Sequence, residues 1–174
     1  IYSQLTMLPL TQLTEDEQML KEATADFAQS SIAPLIQKMD EQAKLEQSVI
    51  DECFEMGLMG VEIPEKYEGA GGTFMMSIVS IEQLSRVDAS VGVFMDVQNT
   101  LVNNAFLNFG SDDIQTKYLT QLATKKVGAY CLSEASSGSD AFALKATAKL
   151  DGNHYILNGA KLWITNANEA DIFI

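Results

Sequence analysis

Histidine, cysteine, tryptophan and basic residues are the scarce components of this chain. A single histidine, His154, cannot build a multi-histidine metal centre, and no carboxylate-rich calcium loop is recognisable. Cys53 and Cys131 are too few and too far apart in sequence for a disulfide framework. Both are expected as small buried hydrophobes in a reducing compartment. Lys and Arg number 11 against 24 Asp and Glu, a formal net charge of −13. Such a surface repels nucleic acid, whose binding requires phosphates to be neutralised. It still admits a phosphorylated cofactor, because a few local donors hold phosphate against the global field. No apolar run approaches the roughly 20 residues of a membrane span. No signal-peptide pattern is present, and Ile1 stands where an initiator Met is usual. A trimmed N-terminus that took any targeting segment with it is the expectation.

What remains is ordinary globular material. Hydrophobic residues make up 47% and charged residues 20% of 174 residues, which excludes a disordered tail. That length holds one good domain, or one domain and a fragment of a second. The first two thirds read as helices. Thr14-Glu15-Asp16-Glu17 fits a capping box, and Met19, Leu20, Ala23, Phe27 and Ala28 follow near helical spacing up to Pro34. A second helix covers Gln47 to Glu55 and stops at Gly57. Leu58 to Pro64 reads as an apolar connector leading to the turn Glu68-Gly69-Ala70-Gly71-Gly72. That cluster lacks the GxGxxG spacing of a dinucleotide loop and is expected as a bare loop or helix entry. Thr73 to Val87, Ser90 to Asn108 (closed by Gly110) and Asp112 to Thr124 complete the helices. The small run Ala89-Ser90-Val91-Gly92-Val93 invites close approach by another helix or a ligand, and Met75, Met76 and Met95 read as packing filler.

From Val127 the period changes to two. Lys145 to Leu150 alternates as a half-buried strand, Asp151-Gly152 is a hairpin turn, and His154 to Leu157 returns. Asn158-Gly159 turns again before Lys161 to Thr165, read as a further strand. The fold class is therefore α+β: an all-α helical domain over 1–125, then the start of an antiparallel β domain over 126–174. The closing run Asp171-Ile172-Phe173-Ile174 carries no turn signal and reads as a strand interrupted in mid-course. About 50 residues is too little sheet for a closed barrel.

The chemistry concentrates in the last third. Tyr130-Cys131-Leu132-Ser133-Glu134 is an apolar strand ending in a hydroxyl. The small-residue turn Ser137-Gly138-Ser139-Asp140 follows, and then Trp163-Ile164-Thr165. A flavin needs these parts: an aromatic wall on one face, hydrogen bonds to the polar edge, and a donor near N5. Taken singly, a Trp in a strand is more often core and a Thr there merely a β-former. Glu134 and Asp140 read equally as turn caps and as ligands.

The whole chain resembles the acyl-CoA dehydrogenase family. Cys131 to Ala143 fits the family's first signature at every constrained position, and Asn158-Gly159-Ala160-Lys161-Leu162-Trp163-Ile164-Thr165-Asn166 is similar to its second. Ala33-Pro34, Gly57 to Val61, Val87 to Val91 and Gln98 to Leu101 look most like the short/branched-chain members, with the short-chain members close behind. The turn Ala135-Ser136-Ser137 departs from the Pro-Gly or Gly-Ala of many relatives, and its added side chains bear on loop rigidity.

By position, the resemblance implies FAD contacts at Tyr130, Leu132, Ser133, Trp163, Ile164 and Thr165. Ser139 would touch the CoA thioester arm, and Val97, Gln98 and Leu101 would line the acyl pocket. The implied reaction is α,β-dehydrogenation of a short or short branched-chain acyl-CoA. Its glutamate base is expected beyond residue 174, in a C-terminal helical domain, so no acid within the chain is assigned that role. An electron-transfer flavoprotein as acceptor, a homotetramer and a mitochondrial matrix location follow from the same resemblance. Two other readings compete with this one. A Ser139–Asp140–His154 nucleophile lacks both the GxSxG elbow and an orienting partner. A non-catalytic interaction module would share the helical domain and shortened sheet.

Overall fold

The computed structural model describes Pro9 and residues 11–174. Helix α1 (Glu15–Phe27) starts where a side chain satisfies its first free N–H groups. Thr14 Oγ1 accepts from Glu17 N at 3.3 Å, and Glu17 Oε2 accepts from Thr14 N at 2.9 Å. The helical path does not end before Pro34. It widens into a π-helical turn at Ala28–Ile32, tightens to a 3₁₀ turn at Ala33–Leu35, and continues as α2 (Ile36–Gln42). Proline lacks an N–H and clashes with the carbonyl four residues back, so a change of helical pitch accommodates what would otherwise be a break.

Helix α3 (Gln47–Glu55) is terminated by Gly57 at φ 72°. Thr73 caps α4 (Phe74–Ser85), and Asp88 caps α5 (Ala89–Asp96) through bonds of 2.7 and 3.1 Å from Ser90 N and Val91 N. Helix α5 runs through a π-helical stretch (Val97–Asn103) into α6 (Asn104–Phe109), and α7 (Asp112–Thr124) closes the helical part. The small run at the start of α5 serves helix packing: a Cβ on Gly92 would lie 3.2 Å from Ser85 Cα.

The 58–63 connector is core rather than a surface link. Leu58, Met59, Val61 and Ile63 are buried. Their backbone is held by Asn99, which donates to Leu58 O at 2.7 Å and accepts from Val61 N at 3.0 Å, and by Asn103, which donates to Met59 O at 2.8 Å. The glycine cluster packs against the same segment. Gly71 N and Gly72 N donate to Ile63 O and Val61 O, and a Cβ on Gly69 would fall 2.1 Å from Ile63 O. Its glycines allow two backbones to touch, with no room for a phosphate.

Two pairs of strands follow. β2 (Thr147–Asp151) and β3 (His154–Asn158) form an antiparallel hairpin, with Asp151 opposite His154 and the turn at Gly152-Asn153, one residue later than expected. Neither strand is half-buried: every residue of both is exposed. β1 (Gly128–Ala129) pairs with β4 (Ile172–Phe173), and this pair is parallel. Lys161 to Thr165 is not a strand. Trp163 and Asn166 sit at φ 58° and 67°, left-handed values that fold the segment into turns. No helix among the described residues is long and apolar enough to cross a membrane.

Candidate functional site

Beyond β1, the segment Tyr130–Ser133 runs beside the end of the chain, with Leu132 N donating back to Tyr130 O at 3.3 Å. Ile174 N donates to Ala129 O at 3.0 Å, and Cys131 N to Ile174 O at 2.6 Å. The turn carrying Trp163 is brought to its other side, where Leu162 N donates to Ser133 O at 2.9 Å. The two segments singled out in the sequence therefore meet. Between them lie an indole ring 94% exposed, an exposed Leu132 and the half-buried side chains of Tyr130, Ser133, Ile164 and Thr165. Among the described residues, neither the Ser133 nor the Thr165 hydroxyl is spent on a hydrogen bond. A bare aromatic face with free hydroxyls nearby suits a planar, polar-edged ring such as a flavin.

The junction is clasped by Glu134, whose carboxylate is buried. It accepts from Lys161 Nζ at 2.8 Å, Lys145 N at 2.6 Å and Ala146 N at 3.2 Å. Lys161 Nζ also reaches Leu132 O at 3.2 Å. The ammonium hydrogen bond, followed by the Lys145 amide, holds the Glu134 carboxyl below its ordinary value. Glu134 is thus neither a simple turn cap nor an open ligand. It ties the hairpin's foot to both candidate flavin segments. Asp140 does cap a turn, accepting from Phe142 N at 3.2 Å.

The other candidates are more scattered. Ser139 is exposed on the bend after Ser137, and His154 lies out on the hairpin, so no Ser–Asp–His array forms among the described residues. Val97 is buried within the second hydrophobic cluster, whereas Leu101 is exposed on the same helix. Gln98 is wholly buried, and both its amide hydrogens are engaged, to Leu122 O at 2.9 Å and Lys126 O at 3.1 Å. Cys53 is buried, and desolvation pushes its thiol up to about 12. Cys131, expected to be buried, is only half-buried, because its segment lines the edge of the sheet. No cluster of three or more potential metal ligands occurs among the described residues.

Sequence reading missed the roles of Lys161 and Asn166. Both fall in the second signature, but their partners lie roughly 30 to 70 residues away, and no local pattern carries that pairing.

A helical unit feeding two short segments, with aromatic and hydroxyl groups bared where they meet, has clear counterparts. The family described as acyl-CoA dehydrogenase, N-terminal domain matches residues 14–126, and the acyl-CoA dehydrogenase middle domain matches residues 129–174. The chain belongs to the acyl-CoA dehydrogenase family. It is 45% identical over 170 residues to the short/branched chain specific acyl-CoA dehydrogenase of rat mitochondria, covering 98% of this chain and 39% of that protein. A probable short/branched chain enzyme of Dictyostelium discoideum is 49% identical over 168 residues, 95% of this chain and 40% of the relative.

The solved structures agree. A Bacillus anthracis acyl-CoA dehydrogenase complexed with FAD superposes with TM-score 0.86 at 35% identity, over 94% of this chain and 29% of that one. A chain in a structure of the electron transferring flavoprotein of Acidaminococcus fermentans gives 0.89 at 39% identity, over 93% and 43%. The chain spans about two fifths of the length of the curated relatives it matches.

Proposed function

We propose that these residues are the helical and flavin-edge portion, 1–125 and 126–174, of an FAD-dependent dehydrogenase of short or short branched-chain acyl-CoA thioesters. The observation that carries the reading is the meeting of the 130–133 and 161–165 segments around an open Trp163. Tyr130 and Leu132 lie along the polar edge of the ring, and Ser133 offers it a hydroxyl. Trp163 and Ile164 wall one face against water, and Thr165 donates close to the ring's reactive nitrogen. FAD supplies the two-electron acceptor for the substrate's β-hydride. Ser139 meets the thioester arm, and Leu101 faces the acyl chain, whereas Val97 and Gln98, the other two pocket candidates, are buried in the core. The α-proton is removed by a glutamate outside these 174 residues. An electron-transferring flavoprotein as acceptor, a homotetramer and a mitochondrial matrix location are the remaining parts of the proposal. The matched relatives' names and the flavoprotein structure support the acceptor and the location.

A visible-absorption titration of the chain with FAD, run beside Trp163→Ala, tests the flavin assignment. The expected result is a perturbed flavin band that saturates, with affinity about fivefold weaker in the variant, the worth of one aromatic stack. Equal binding by both chains overturns the placement at Trp163, and no perturbation in either overturns flavin binding by this chain.

A further inference from the structure

Asn166 lies three residues beyond Trp163, buried and left-handed at φ 67°. Its Nδ2 donates to Phe94 O at 3.1 Å, on α5, and to Gly128 O at 3.2 Å, in β1. Gly128 is held from its other side as well, since its N–H donates to Gln98 Oε1 at 2.7 Å. Gln98 in turn anchors to the end of α7 through Leu122 O and Lys126 O. A Cβ on Gly128 would lie 2.5 Å from Val102 Cγ1, so the strand sits directly on the helix.

We propose that Gln98 and Asn166 are positioning residues that weld the Trp163–Thr165 turn to the helix bearing Val97 and Leu101. The circuit runs from Phe94 through Asn166 to Gly128 and back through Gln98 to the same helix. It uses two neutral amides, each with both N–H groups engaged, as buried amides must be. A shift of that helix is passed to Gly128 and to the turn together. The proposal deepens the flavin reading of the turn and rests on it for its relevance to the cofactor. The mechanical claim is tested without FAD.

Trp163 is the only tryptophan, so fluorescence anisotropy excited at the red edge of indole absorption, where tyrosine does not absorb, reports this turn alone. Asn166→Gly keeps the left-handed backbone and removes both hydrogen bonds. Its anisotropy is expected to fall while the far-UV helical signal is unchanged, and FAD affinity to fall about tenfold. Adding Gln98→Ala should cost little further anisotropy, because the circuit is already open. A lowered melting temperature with unchanged anisotropy and FAD affinity would mean a merely structural role and overturns the proposal. Should Asn166→Gly fail to fold, the unsubstituted chain decides. Heated alone, its Trp163 anisotropy should show its cooperative step, above the gradual decline that heating itself causes, together with the loss of the helical signal, and a step at lower temperature overturns the weld. If the unsubstituted chain leaves FAD unperturbed, the flavin reading fails, while both anisotropy measurements still judge the weld.

Discussion

The helical part and the β2–β3 hairpin treat apolar side chains in opposite ways. Between α1 and α7, leucines, valines and methionines close into two clusters, and side-chain amides bind the buried 58–63 connector. On the hairpin, Leu150, Tyr155, Ile156 and Leu157 are all exposed, although the strands pair in full register. The contrast shows that pairing and burial are separate requirements. Backbone hydrogen bonds give a hairpin its shape, but apolar contacts from elsewhere give it stability.

Substituting matched residues on the two sides gives the sharpest form of that comparison. Leu58→Ala removes a fully buried side chain and is expected to cost about 2–5 kcal/mol in urea unfolding. Leu157→Ala, on the exposed hairpin, should stay within about 0.5 kcal/mol. A comparable loss at both positions would mean that the hairpin is covered in solution. Glycines make the next contrast. Gly69→Ala drives a methyl into the Ile63 backbone and should cost about 1–3 kcal/mol, whereas Gly138 has open space and its Ala variant should be close to neutral. Equal effects would show that the 60–63 and 69–72 segments do not touch.

How legible each region was in sequence follows the same division. Thr14, Gly57 and the spans Gln47–Glu55 and Asp112–Thr124 were readable because caps and helical periods act within a few residues. Helix α2 was not read: Pro34 precedes it, and no side-chain cap marks its start. The parallel β1–β4 pair joins residues more than 40 positions apart, beyond any local pattern. Lys161 to Thr165 has strand-like composition, yet Asn166 and the Glu134–Lys161 clasp bend it into turns, tertiary contacts overriding propensity. Of the site, residue identities were visible in the two signatures, but the meeting of Leu162 with Ser133 was not.

A smaller effect is expected at the start of α1. Thr14→Ala removes the capping hydroxyl and should lower stability by about 1 kcal/mol. It also loosens Glu17, whose other oxygen accepts from Thr73 Oγ1 at 3.3 Å and so links α1 to the start of α4. A lowered urea midpoint with an unchanged slope is the expected result, and an unmoved midpoint would show that the cap contributes nothing.

The smallest global effect belongs to Glu134, because it acts on the foot of a hairpin that buries little. Its carboxyl is held below an ordinary value near 4.5, chiefly by Lys161 and then by the Lys145 amide. A group depressed in the folded state stabilises fully above its ordinary value, and that contribution disappears as pH falls through the lower folded value. Amide exchange at Lys145 and Ala146 should therefore be slow at neutral pH and accelerate, relative to the unfolded chain, only in that acid window. Glu134→Gln keeps an acceptor but removes the charge. It should exchange faster at neutral pH and show no acid transition, with the urea midpoint almost unmoved. An acid transition persisting in the variant would assign the titration to another carboxylate, and the clasp would then not be what joins the hairpin to the Trp163 turn.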